Sequence, residues 1–147
     1  DLAGRLLAEK GEIPEAVYDF ERAIRLRPHS APHLYDFALA LARAGRFDEA
    51  RQNAEAALRA EEKFADGHEL LGGLFERERR WPQAAAAYRR ALELRPEPAR
   101  THFRLGTVLA AQGDVAGAAE QLREAAKGSD APIAQQAARA LQQLGVR

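Results

Sequence analysis

The chain contains neither cysteine nor methionine, and each absence closes off chemistry. Without cysteine there is no disulfide, no thiolate metal ligand, no cysteine nucleophile and no thioether-linked haem. Without methionine, Asp1 is not a translation start. Net charge is also lacking: the formal charge is +0 and the pI is ≈ 7.1. No general electrostatic pull draws such a chain toward nucleic acid or an anionic membrane, which argues against a nucleic-acid role. No stretch alternates with period two, and none stays apolar for the ~18 residues that a membrane-spanning helix needs. Phosphate-binding glycine loops, nucleophile elbows and His-Glu-x-x-His pairs are missing as well, so neither an enzyme nor a bound cofactor is expected.

What is present is repetition. Gly4, Ala38, Gly72 and Gly106 recur at an interval of 34 residues, and so do Ala16, Ala50, Ala84 and Ala118, then Ala23, Ala57, Ala91 and Ala125. Self-similarity at that period marks stacked helix-turn-helix units. Leu7, Leu41, Phe75 and Leu109 follow the first series by three residues, and Ala3, Phe37, Leu71 and Leu105 precede it by one, which draws one apolar helical stripe. Phe20, Ala54, Tyr88 and Leu122 build a second stripe on a second helix. Small residues let two helix backbones approach while large ones fill the space beside them. Gly11, Gly45, Arg79 and Gly113 fall between the helices, where a left-handed backbone is expected, and Pro28 and Pro96 close the second helices. A left-handed Arg79 would cost roughly 1 kcal/mol relative to glycine.

In this pattern the chain resembles the tetratricopeptide repeat family. The resemblance rests on Leu71-Gly72-x-x-Phe75, Ala84-x-x-x-Tyr88 and Pro96, and again on Gly4-x-x-Leu7, Ala16-x-x-x-Phe20 and Pro28. It implies an all-α, right-handed superhelical solenoid of helix-turn-helix units with a C-terminal capping helix. One array spans 1–147, in units of about 1–30, 31–64, 65–98 and 99–130, with the cap at 131–145. Nine helices are expected, over 1–10, 14–26, 31–44, 48–60, 65–78, 82–94, 99–112, 116–127 and 131–144. Local departures are Ala54 in place of a large residue, Glu62 in place of proline and Arg79 in place of glycine, so the second helix pair is expected to pack more thinly.

The two ends differ. The counterparts of Leu34, His68 and His102 would precede Asp1, so the chain opens inside a helix. A segment of a longer array, a cleaved export signal and upstream residues left off the sequence all account for this, the longer chain being favoured. The compartment stays open. Asp130-Ala131-Pro132 reads as a helix start, and the helix that follows carries Ile133, Ala134, Ala137, Ala138, Leu141 and Leu144 on one side before Gly145 stops it. Gln135, Gln136, Arg139, Gln142 and Gln143 face away, as a cap requires.

The resemblance implies that the first helices of the units line an inner groove that takes an extended or helical segment of another protein. Tyr35, Leu39, Arg43, Arg77, Arg100, Phe103 and Arg104 are the candidate groove residues. Tyr35 and Phe103 offer apolar contact area, and Arg100 with Arg104, one helical turn apart, would hold a carboxylate, although an arginine-rich face is more often merely solvated. Some chaperone-binding members clamp a C-terminal carboxylate with lysines and asparagines; the matching places here hold Arg5, Leu39 and Gly73, so that activity is not implied. The alternative is a structural block that assembles end to end, as a homo-oligomer or filament, through Leu2 and Leu6 at one end and Ile133, Leu141 and Leu144 at the other. No metal site is expected: His68 and His102 sit in equivalent places of adjacent units, too far apart to share one ion, and His29 and His33 are separated by a turn. Trp81 matches Ile13, Phe47 and Val115 and reads as core.

Overall fold

The computed structural model describes residues 13–27, 29–96 and 98–145. Among them lie eight α-helices and no strand: α1 (Ile13–Leu26), α2 (Ala31–Arg43), α3 (Phe47–Ala60), α4 (Ala65–Arg77), α5 (Trp81–Leu94), α6 (Ala99–Ala111), α7 (Val115–Lys127) and α8 (Ala131–Gln143). The all-α reading holds, and these eight coincide with the last eight expected helices. The expected helix over 1–10, with Gly4, Leu2 and Leu6, lies outside the described residues, as does Pro28.

Second helices begin one residue earlier than periodicity suggests, on the apolar Phe47, Trp81 and Val115. The reason is the turn before them. Arg46, Arg80 and Asp114 carry the last non-helical backbone, with ψ of 65°, 68° and 78°. Each turn is closed by a left-handed residue, Gly45 (φ 78°), Arg79 (φ 57°) or Gly113 (φ 84°). The amide after it reaches back across the turn: Arg46 to the Leu41 carbonyl, Arg80 to that of Phe75 and Asp114 to that of Leu109, all at 2.9 Å. Together with bonds of shorter sequence span from Gly45 to Ala42, Arg79 to Glu76 and Gly113 to Ala110, at 3.0–3.1 Å, this is the Schellman arrangement that satisfies the last carbonyls of a helix. Arg79 adopts it despite its side chain.

The chain divides into two compact units, Asp1–Leu71 and Gly72–Arg147, the division falling inside α4. In the first, α1, α2 and α3 pack in sequence, and Ala31, Leu34 and Ala57 form a buried cluster flanked by Ile24, Tyr35 and Phe64. Ala38 and Ala54 are both completely buried there, so the small residue at 54 still belongs to the interior. In the second unit α5, α6, α7 and α8 pack in the same order. One cluster joins Ala84, Tyr88, Leu105, Val108 and Leu109, with Trp81 packed against it as expected of a core residue. A second joins Leu122, Ala125 and Ala137 and is covered by Phe103, Ile133, Leu141 and Leu144.

α8 closes the second unit as its sequence implies. The Asp130 carboxylate accepts from the Ile133 amide at 3.2 Å, Pro132 stands in the first turn, and Gly145 (φ 69°) ends the helix. Gln135, Gln136, Arg139, Gln142 and Gln143 are exposed. Ala138, expected on the apolar side, is exposed too, because it lies about 100° round the helix from the fully buried Ala137.

Candidate interaction faces on the first helices

The candidate residues of the first unit lie on α2. Tyr35 is half-buried, and its ring meets Phe64 edge-on, with centroids 5.3 Å apart and planes at 85°. Much of its area therefore serves the interior. Leu39 is half-buried and Arg43, in the last turn of α2, is exposed.

In the second unit the structure separates Arg100 from Arg104. Arg100 lines an open depression of about 360 Å³ with Pro98, Gly128, Ser129, Asp130 and Ile133. Arg104 turns toward α4 instead, where its Nη1 stands 3.3 Å from both carboxylate oxygens of Glu76. Glu76 in turn accepts a 2.8 Å hydrogen bond from the hydroxyl of Tyr88. A carboxylate thus already faces Arg104, and it comes from the chain itself. The pair places Glu76, in the second unit's part of α4, beside Arg104 of α6. Arg77 is exposed at the end of α4. Phe103 is half-buried against the Leu122 cluster and presents only part of its ring.

Glu76 is the residue that periodicity missed. The repeat place equivalent to Arg104 is Leu70, and Glu76 lies less than two helical turns beyond it, so no single position in the pattern pairs the two. The tyrosine hydroxyl was legible only as a large core side chain. Leu2 and Leu6 lie outside the described residues; Ile133, Leu141 and Leu144 are half-buried against α7, leaving part of each exposed.

The histidines of equivalent places do equivalent structural work. His68 Nε2 lies 2.9 Å from the carbonyl of Glu62, and His102 Nε2 lies 3.0 Å from the carbonyl of Pro96, the matching residue of the next unit. A carbonyl can only accept, so Nε2 carries the proton in both rings. His102 Nδ1 is also 2.8 Å from the Gln121 side-chain amide of α7, and with the proton on Nε2 it accepts there only from the NH2 end of that amide. His33 lies 2.5 Å by Nδ1 from the Ser30 hydroxyl, and burial, aided by the positive charge of Arg27, lowers its pKa against the opposing effect of Asp36. Among the described residues no group of three or more His, Asp or Glu side chains could hold a metal ion, and no helix is long and apolar enough to cross a membrane.

Helix pairs closed by left-handed turns, small residues under large ones and a cap with a polar back define an all-helical repeat protein. The chain belongs to the tetratricopeptide repeat family, whose pattern it matches over residues 35–97 and 75–132. It is 35% identical over 75 residues to the TPR repeat-containing thioredoxin TTL4 of Arabidopsis thaliana, a match covering 51% of this chain but only 11% of that protein. Among solved structures it is similar to that of MamA (18% identity, TM-score 0.85, 98% of this chain and 85% of that one). It is similar also to that of YrrB, described as a TPR protein with an unusual peptide-binding site (23% identity, TM-score 0.80, 98% of this chain and 75% of that one). At these identities the likeness establishes the fold.

Proposed function

We propose that this chain is a non-catalytic scaffold that holds a peptide segment or subunit of another protein against the exposed faces of its first helices. The family and the neighbouring folds support an interaction scaffold in general. The observation that carries the finer reading is on α6: Arg104 reaches toward Glu76 in the open, its side chain 51% exposed, and Phe103, the residue before it, is half-buried against the Leu122 cluster with part of its ring left open. Aromatic rings and arginines are enriched among the few residues that carry most of the binding energy at protein interfaces. The description of YrrB as having a peptide-binding site supports the choice of ligand class.

The test is capture of a partner by the purified chain, followed by the double change Phe103→Ala with Arg104→Glu. Capture should be lost, while changes to exposed residues of the second helices, such as Arg89→Glu, leave it intact. Retained capture in the double variant, with loss from the second-helix changes, would move the site to the other face.

End-to-end assembly has narrower support. Ile133, Leu141 and Leu144 already spend part of their surface on α7. Light scattering over a dilution series decides it, since a filament-forming contact gives a mass that falls with concentration.

A further inference from the structure

We infer that α4 holds a hinge: the chain bends at the Gly72–Gly73 pair, between its two compact units, and each unit moves as one body about that point. Such a hinge belongs to the chain itself and does not depend on the peptide-scaffold reading above.

Among the first helices α4 is the glycine-rich one. It holds Gly67, Gly72 and Gly73 within Ala65–Arg77, whereas α2 holds no glycine and α6 holds Gly106 alone. Glycine is the poorest helix former after proline, because it has the most backbone freedom to lose. Sharp bends in helices fall at adjacent residues of this kind. The middle of α4 is therefore its weakest stretch.

The two glycines of the pair stand on different footings. Gly72 is required by packing, since a Cβ on it would run into the ring of Tyr88. Gly73 is not. Beyond its own stretch of helix, the nearest atom to an added Cβ is the Tyr88 hydroxyl oxygen at 3.7 Å, an ordinary van der Waals contact. Its backbone is not left-handed either, unlike that of Gly45, Gly113 and Gly145. The equivalent places on α2 and α6 hold Leu39 and Thr107, so the repeat has room for a side chain there. Neither space nor backbone geometry asks for glycine at 73. What glycine alone supplies is freedom of the backbone, beside a residue that packing already keeps bare.

The division of the chain falls at the same pair: the first unit ends at Leu71 and the second begins at Gly72. Each unit has its own buried cluster, with Ala31, Leu34 and Ala57 in the first and Tyr88, Leu105 and Val108 in the second. In a stacked array units meet only their neighbours, so a bend at one joint leaves the packing inside the others intact. Hinges are a few residues, often small, that absorb the change of backbone angle between two packed bodies. Gly72 and Gly73 fit that description.

Hydrogen exchange of the whole chain, read by mass spectrometry as protection factors, should show α4 opening more readily than α2 and α6. Gly73→Ala, which fits the space and restores helix propensity, should raise protection across α4 by roughly fivefold and leave α2 and α6 unchanged. The bend itself is read with pairs of nitroxide labels, which a cysteine-free chain accepts at chosen places. Labels carried by Gln52→Cys and Gln136→Cys, exposed positions of the two units, should give a broad distance distribution by double electron–electron resonance. Gln83→Cys with Gln136→Cys, both exposed in the second unit, should give a narrow one. Gly73→Ala should narrow the first distribution and leave the second as it is. Protection in α4 equal to that in α2 and α6, or labels across the units as narrowly distributed as those within the second, would overturn the hinge. A broad distribution that Gly73→Ala leaves unchanged would overturn it as well, since the bending would then lie outside the glycine pair.

Discussion

Gly72 lies directly beneath the ring of Tyr88: a Cβ placed on it would stand 2.6 Å from Cε1 and 2.7 Å from Cδ1. The same relation recurs between Gly106 and Leu122, where a Cβ would come within 2.8 Å of Cγ. In the first unit the equivalent places hold Ala38 and Ala54, a slightly larger residue against a much smaller one, and both are fully buried. Residue size at one place is set by residue size at the other, because interiors tolerate neither overlap nor void. Gly72→Ala should therefore destabilise the chain by about 1–3 kcal/mol through overpacking. In a Tyr88→Ala background the sign should reverse, since alanine is the better helix former by about 1 kcal/mol. Urea denaturation of the four members of this cycle measures it; the same loss in both backgrounds would show that the ring is not the cause.

Arg79 occupies the left-handed place that Gly45 and Gly113 fill in neighbouring units. A side chain there crowds the following carbonyl at a cost of roughly 1 kcal/mol. Arg79→Gly should raise stability by about that amount. Arg79→Ala should not, as alanine has the same Cβ. A gain with alanine equal to that with glycine would place the cost in the arginine's charge instead of its backbone.

Thr101 is 0% exposed and its hydroxyl has no hydrogen-bond partner. An unmet buried hydroxyl carries its full desolvation cost. Thr101→Val keeps the branched shape and removes the polar atom, so the unfolding midpoint in urea should rise, by about 1 kcal/mol in free energy. Thr101→Ser keeps the unmet hydroxyl and loses a methyl, so it should lower stability. A valine variant weaker than the parent would mean that the hydroxyl is satisfied in solution.

His33 gives the first unit an acid-sensitive point. Its folded-state pKa is lowered, chiefly by burial, so folding favours the neutral ring. The resulting stability is present above the unfolded-state pKa of about 6.5 and is lost as pH falls through the lower folded-state value. Glu49 and Glu124, held low by hydrogen bonds from Arg46 and Lys127, lose their contributions only further down, below the usual carboxylate range. Stability measured across the mildly acid range should decline in the wild type and decline less in His33→Gln. An identical slope in both would assign the effect elsewhere.

The helices, their left-handed ends and the family were readable in the linear chain, because each depends on local geometry that repeats. A glycine past a helix end, an alanine between stripes and an aspartate before a proline act within a turn or two of themselves, so their spacing carries the information. That is why α8, with Asp130 at its start and Gly145 at its end, matched expectation closely. The candidate interaction face was only half legible. Phe103 and Arg104 were visible as first-helix residues, but the pairing of Arg104 with Glu76, the anchoring of Glu76 by Tyr88 and the departure of Arg100 toward Asp130 were not. Those relations join side chains on different helices, and their distances depend on how far each backbone approaches the next. Sequence determined the repeat and the order of its helices, which are local and periodic. Tertiary packing decided which charge meets which, because a contact across helices is fixed by the sizes of the residues wedged between them, Gly72 under Tyr88 foremost.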